Sequence, residues 1–324
     1  MIYKVLNSEE TAELQIELNR GLPGTAKIFY VIRNLLNGYL PGIELLVDDW
    51  PKWACVLLRP TSENKVKRFF ENTYICYTKN VSTLKYFIQR PDVINWGKPA
   101  IFTGVPNDLV LLLTDMTRKQ KGTLSSCEPR FMYAWTKRTL PELPEVPSGL
   151  RLSTLGSEHV PIMAQDWEWS RTDIEGYFHS VVERFDSSCL LDEQGILRAY
   201  MCMQYNGSMA MLYIRPEYRK NGYFNIILSD LTRKILLKKD IAYGFIPTHD
   251  TCLINQSREL GFEWVPRGDM TWVKYTPYSK PEKHITGDLK LQAEHRKEEG
   301  DEGNEEEKQQ TKPLLINAIP LTIG

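Results

Sequence analysis

The stretch from Ile214 to Phe224, Ile-Arg-Pro-Glu-Tyr-Arg-Lys-Asn-Gly-Tyr-Phe, limits what this chain can fold into more than any other. It follows an apolar run, Ser208 to Ile214, and leads into apolar residues at helical spacing: Phe224, Ile227, Leu228, Leu231 and Ile235. The local order is therefore strand, basic glycine turn, helix. Such a turn aims free backbone N–H groups and the positive end of a helix at one point, which suits a phosphate. Arg215, Arg219 and Lys220 add formal charge, and Gly222 lets an anion approach the main chain. A surface turn carrying a solvated charge cluster has the same composition, so the turn alone does not decide between the two.

The surrounding pattern extends that order. Ser188 to Leu191 and Ile196 to Gln204 read as strands around the turn Asp192-Glu-Gln-Gly195. Tyr205-Asn-Gly207 marks a second turn, Asn-Gly being a strong hairpin signal. The helix runs to about Lys239, a strand covers Ile241 to Ile246, and a helix covers Asp250 to Leu260, stopped by Gly261. Phe262 to Val265 and Met270 to Tyr275 read as closing strands.

This layout and the register Ile214, Pro216, Arg219, Gly222 resemble the GCN5-related N-acetyltransferase superfamily. The Leu260-Gly-Phe262 after the last helix does so too. Phe224 departs from the pattern, where the superfamily usually has Gly or Ala. Pro216-Glu-Tyr-Arg219 with Gly222, Phe185 to Leu191 and Trp167-Glu-Trp169 resemble the C-terminal half of glycine N-acyltransferases. Asp49-Trp-Pro-Lys-Trp53, Tyr77-Thr-Lys-Asn80 and Asp92-Val-Ile-Asn-Trp96 resemble that family's N-terminal domain. The match spans roughly residues 1–278, and its departures point to a glycine N-acyltransferase-like paralogue.

The resemblance implies a two-domain α/β fold with a mixed, splayed central sheet that holds acyl-coenzyme A. It implies acyl transfer from acyl-coenzyme A to glycine or a similar small amino acid, with no metal, in mitochondria; the alternative location is cytoplasmic. It implies that backbone groups of Tyr213 and Ile214 pair with the pantetheine, and that loop residues Arg219, Lys220, Asn221, Gly222, Tyr223 and Phe224 hold the pyrophosphate. Asn255 resembles the coenzyme-facing asparagine. The family's general base, a glutamate, falls on Ser208, and serine is a poor base without its own partner. Two substitutes stand open: His249, at the end of the Ile241–Ile246 strand on the side expected for the thioester, and Glu217 in the loop. Ser257 stands where many superfamily members have a tyrosine that protonates the thiolate. A protein or polyamine N-acetyltransferase, or an acyl-coenzyme A-binding pseudoenzyme, are the competing readings, the latter favoured by Ser208.

Length and composition set the outer bounds. The 324 residues suffice for two domains with a core. A net charge of −1 gives no basic domain of the kind that binds nucleic acid. No run of eighteen apolar residues predicts a membrane span. Met1 to Asn19 reads neither as a signal peptide nor as an arginine-rich presequence. Six scattered cysteines read as reduced thiols, and no paired-cysteine or His-x-Glu zinc pattern occurs. In the first half, helices are expected near 8–18, 26–38, 81–89 and 107–119, and strands near 43–48, 54–59 and 73–77. The expected organisation is an N-terminal domain over 1–140, a proline-rich linker over 141–148, an acyl-coenzyme A-binding domain over 149–278 and a charged, disordered tail over 279–324. The protein is expected to be a monomer.

Overall fold

The computed structural model describes residues 3–61, 67–166, 173–219 and 221–278. Lys220, Trp167, Trp169 and the tail 279–324 therefore lie outside the described residues.

One order of elements occurs twice. The first run is β1 (Lys4–Val5), α1 (Ser8–Asn19), α2 (Ala26–Leu36), β2 (Ile43–Val47), β3 (Cys55–Pro60), β4 (Thr73–Thr78), α3 (Val81–Ile88), β5 (Ala100–Pro106), α4 (Asn107–Lys119), β6 (Gly122–Ser126) and β7 (Arg130–Ala134). The second is β8 (Leu150–Ser153), α5 (Val160–Asp166), α6 (Ile174–Arg184), β9 (Ser187–Asp192), β10 (Leu197–Met203), β11 (Met209–Ile214), α7 (Tyr223–Leu237), β12 (Tyr243–Pro247), α8 (Thr251–Leu260), β13 (Glu263–Trp264) and β14 (Met270–Pro277). Each unit is a strand, two helices, three strands, a helix, a strand, a helix and two strands. No residue-level repeat accompanies this, because each unit specifies only apolar periodicity and turns.

The two units exchange their last strands. The sheet order is β1-β2-β3-β4-β5-β14-β7-β12-β11-β10-β9-β8. β14, from the end of the second run, pairs with β5 and β6 of the first. β7, from the end of the first, pairs with β12 and β13 of the second. A continuous mixed sheet results, and it runs across the proline-rich segment in sequence.

Strand alternation sorts the core onto two faces. Leu45, Val47, Val56, Leu58, Leu191 and Met211 pack with α1, α2, α5 and α6. On the other face Leu46, Leu57, Tyr74, Phe102 and Tyr275 pack with α3 and α4. There Met201, Met209, Leu212 and Ile214 pack with α7, whose Phe224, Ile227, Leu228, Leu231 and Ile235 are buried as the spacing requires. Local signals start several helices: Asn7 and Glu10 form a capping box on α1, and the side chains of Asn80 and Asp250 cap α3 and α8. Five of the cysteines are buried and Cys252 is exposed; all six are free thiols.

Candidate active site

β11 and β12 run parallel and meet at a single register pair, Met209↔Gly244. Beyond it they diverge, and a cleft opens between them on the α7 face. Met201, Met209, Phe224, Leu228, Ile246, Leu253 and Ser257 are among its lining residues, and it holds about 350 Å³ including its open mouth. The apolar lining suits an extended, largely apolar ligand. Among the described residues, the β12-facing edge of β11 beyond Met209 has no strand partner, so it offers backbone groups to such a ligand.

Strand parity decides which residues face this gap. Arg215 N donates to Arg198 O, so Arg215 and Tyr213 turn their main chain toward β10 and Ile214 turns its own toward the gap. Of the two residues expected to pair with the pantetheine, the geometry thus offers Ile214. Its carbonyl accepts a 3.2 Å bond from Arg219 Nε. A bulge lies two to three residues earlier: Tyr200 pairs with Tyr213 but Cys202 with Ala210, and Met211 has φ +56. It inserts one residue into β11 and re-aims peptide groups next to the gap, where an N–H can serve as an oxyanion donor.

The glycine turn closes one end of the cleft. α7 begins at Tyr223, and its N-cap, Gly222 at φ +78, has no side chain to offer the first turn. The orphan N–H groups and positive dipole end of α7 stay open to a ligand. Asn221 and Gly222 are exposed, and Arg219 and Tyr223 are half-buried. Phe224 does not intrude on the turn: it is buried in the core beneath α7 and lines the bottom of the cleft. A phenylalanine is tolerated where a small residue is expected because it already sits inside the helix, facing the sheet. Glu217 lies 3.9 Å from Arg198, on the outer side of the turn.

The two residues proposed for proton transfer are not brought together. Ser208 precedes β11 and His249 follows β12; because the strands are parallel, they lie at opposite ends of the pair. Ser208 is 2% exposed, and its Oγ donates to Asn206 Oδ1 at 2.8 Å. His249 is exposed and pairs with Glu128, near the level of the glycine turn. Asn255 is on the exposed face of α8, whereas Ser257 on the same helix lines the cleft. A carboxyl that sequence reading missed is Asp166, the last residue of α5. Burial raises its pKa, Arg215 pulls it back down, and it shares a hydrogen bond with the Tyr213 hydroxyl. Burial and the Asp166 charge raise the Tyr213 phenol in turn. The missing signal was the helix itself: α5 is a seven-residue element ahead of Trp167 and shows no clear period.

Among the described residues no cluster of His, Cys, Asp and Glu could hold a metal ion, and no helix is long and apolar enough to cross a membrane. The N-terminal model of the aralkyl acyl-CoA:amino acid N-acyltransferase family matches residues 2–185. The chain belongs to this family. It is an acyl-CoA-dependent N-acyltransferase. It is similar to bovine glycine N-phenylacetyltransferase, 24% identical over 68% of this chain and 82% of that protein. Mouse glycine N-acyltransferase is 22% identical over 70% of this chain and 83% of that protein. In fold, this N-acyltransferase resembles a solved Drosophila protein: TM-score 0.72 and 13% identity over 86% of this chain and 99% of that one. A tandem GNAT protein from the clavulanic acid pathway follows at TM-score 0.50 and 12% identity, over 85% of this chain and 97% of that one. Its tandem arrangement agrees with the two units seen here.

Proposed function

We propose that the enzyme transfers an acyl group from acyl-CoA to glycine or a similarly small amino acid. The observation that carries the small acceptor is the cover over the start of β11. There the turn 204–208 is walled in by the first unit. Asn34 Nδ2 of α2 donates to Tyr205 O at 2.6 Å, and Phe70 meets the Tyr205 ring edge-on at 4.9 Å. The Tyr30 ring packs against Gly207 so closely that a Cβ there would collide with it. The Tyr243 hydroxyl donates to Asn206 O from below. A peptide main chain has no open groove to lie in at this end, whereas a single amino acid needs none.

In this reading the pyrophosphate sits at the Gly222 turn and the start of α7, and the pantetheine runs along the free edge of β11 past Ile214 toward Met209. The amine nitrogen attacks the thioester carbonyl, the carbon–sulfur bond breaks, and an amide and a free coenzyme A thiol result. The amine gives up a proton, and the leaving thiolate must gain one or be solvated. A peptide N–H at the Met211 bulge stabilises the oxyanion; such a donor is worth roughly 3–4 kcal/mol at the barrier. Ser257, facing the cleft, is placed to hydrogen-bond the leaving sulfur. A second reading, an acyl-CoA-binding protein with little turnover, is favoured by Ser208, which is buried, bonded to Asn206 and without basicity. The test is release of free thiol from a panel of acyl-CoA donors with glycine, a lysine-containing peptide, a polyamine or no acceptor. Release stimulated by glycine and not by the peptide or polyamine is expected. Stimulation by the peptide overturns the small-acceptor reading, and coenzyme A binding without thiol release favours the second.

A further inference from the structure

β11 shows two different sides around its bulge. Met209, Leu212 and Ile214 face α7, whereas Ala210, Met211 and Tyr213 face α5 and α6. The bulge is what puts Ala210 and Met211, neighbours in sequence, on one face. A coenzyme A thioester in the cleft fills the α7 side, so an amine reaches its carbonyl from the α6 side. Cover on that side is uneven. Tyr200, Cys202 and Met211 are buried, and Ser208 is shut in beside the turn that precedes β11; Ala210 and Tyr213 are only half-buried.

A carboxyl stands at this opening. Asp166, the last residue of α5, is half-buried and accepts a hydrogen bond from the Tyr213 hydroxyl. The Tyr213 ring is itself held in place: it stacks on Tyr200 of β10, with centroids 5.7 Å apart and planes at 30°. Tyr213 follows Met211 by two residues, about 7 Å along the strand, so the pair stands close to the peptide groups that the bulge re-aims. Among the described residues, the other titratable groups that reach Asp166 are Arg215 of β11 and Tyr200 of β10. Arg215 directs its Nε away, to Leu197 O of β10 at 2.8 Å. A carboxylate has roughly four lone-pair sites, and the phenol takes one of them. The others suit a donor that carries positive charge, and partial burial makes this carboxylate more basic than a solvated one.

We propose that Asp166 receives the acceptor's amino group: its carboxylate pairs with the ammonium and takes a proton from it, and Tyr213 is the positioning residue that holds the carboxylate. This rests on the reading that the enzyme acylates a small amino acid at the β11–β12 cleft. The protons balance. One leaves the nitrogen for the Asp166 carboxylate as the nitrogen lone pair closes on the thioester carbon. A second passes to the sulfur as the carbon–sulfur bond breaks, and the third stays on the amide. Asp166 then returns its proton to water. The base that Ser208 cannot supply thus comes from the helix that faces β11 and not from the strand itself.

The experiment has two arms on the full chain, with Asp166→Asn, Asp166→Glu and Tyr213→Phe each checked for native circular dichroism and unchanged coenzyme A affinity. In the first arm, thiol release from acyl-CoA with glycine is followed against pH. Asp166→Asn should lower kcat/KM for glycine by about a hundredfold or more near neutrality. Its rate should then climb with the neutral fraction of the amine, where the wild-type rate is level. Asp166→Glu should recover part of the loss. Tyr213→Phe should give a smaller loss of the same pH shape, and it carries the test if the aspartate variants do not fold. A merely structural role would lower the rate equally at every pH. That result, or variants within about threefold of wild type, overturns the proposal and leaves glycine transfer intact. In the second arm, glycine is titrated by calorimetry into the chain with coenzyme A present. Asp166→Asn should weaken its binding about tenfold or more. Unchanged binding, or none in wild type, overturns the proposal. Glycine binding that depends on Asp166, without thiol release from any acyl-CoA, defeats the transfer reading and supports the assignment of Asp166.

Discussion

A hydroxyl that donates to Asn206 Oδ1 at 2.8 Å and sits 2% exposed is not a proton acceptor for an incoming amine. Ser208→Ala should therefore leave glycine-dependent turnover within about threefold, where loss of a true general base costs 10²–10⁴-fold. A hundredfold fall in kcat would mean that Ser208 does carry protons. A carboxylate placed at 208 would be desolvated beside the Asn206 amide oxygen. The Asp166–Tyr213 pair makes a prediction with a definite sign. The Asp166 charge helps hold the Tyr213 phenol above its ordinary range, so Asp166→Asn should let it ionise at lower pH. Ultraviolet titration of phenolate, with Tyr213→Phe as the control that removes the signal, checks this; an unchanged curve would break the pair. Lys27 gives a third prediction. Burial lowers its pKa to about 8 from 10.5. Between those values the unfolded chain binds the proton and the folded chain does not, so this group adds stability as pH rises through the window. Below pH 8 the folded state bears the full cost of a buried charge. The stability difference between wild type and Lys27→Met should shift by on the order of 3 kcal/mol in favour of wild type from pH 8 to 10.5. Denaturant titrations at both ends measure it, and a flat difference would show a lysine that titrates normally.

At the scale of elements, the uncapped start of α7 separates the second unit from the first. α3 is capped by Asn80, and α7 is left to Gly222 at φ +78. No atom lies within 4 Å of a Cβ built on Gly222, so a replacement there is opposed by backbone conformation and not by crowding. Gly222→Ala should cost about 1 kcal/mol of stability, the usual penalty for a left-handed non-glycine residue. Gly222→Asp should cost the same and in addition repel the pyrophosphate. Comparing coenzyme A affinity of the two variants isolates charge from strain. Equal affinities would remove the phosphate from this turn.

The whole molecule is tied together by its exchanged strands. β14 lies between β5 and β7, and β7 between β14 and β12, so each unit completes the other's sheet. The contact is reinforced by Arg33 of α2, whose guanidinium meets both oxygens of Asp240 at 2.6 and 3.0 Å, and by Ile241 N, which donates to the Tyr30 hydroxyl at 2.7 Å. Fragments 1–148 and 149–278 expressed apart should each expose a long unpaired strand edge and aggregate. The intact chain should unfold in one transition seen alike by tryptophan fluorescence and far-ultraviolet circular dichroism. A soluble, cooperatively folded 149–278 fragment that binds coenzyme A would show that the exchange is dispensable.

The sequence alone determined the parts whose signals are local. The order strand, basic glycine turn, helix is seen at β11, Gly222 and α7, and the expected strands and helices from Ser188 to Tyr275 fall within a few residues of β9 to β14. Apolar period and turn chemistry act over a few residues and need no partner to be read. β5 escaped because Gly104 interrupts it and Pro106 ends it, and that glycine is intelligible only beside Lys27. β7 escaped because its partners β12 and β13 begin more than a hundred residues later. Tertiary structure alone decided that Ser208 is shut in, that His249 lies at the far end of the parallel pair, and that Asp166 meets Tyr213. The physical reason is one of range. Hydrophobic period fixes which face of an element is buried, but the opening between β11 and β12, and the β5 bulge whose carbonyls Lys27 takes up, arise from strands that pair, part and bulge against chain far away in sequence.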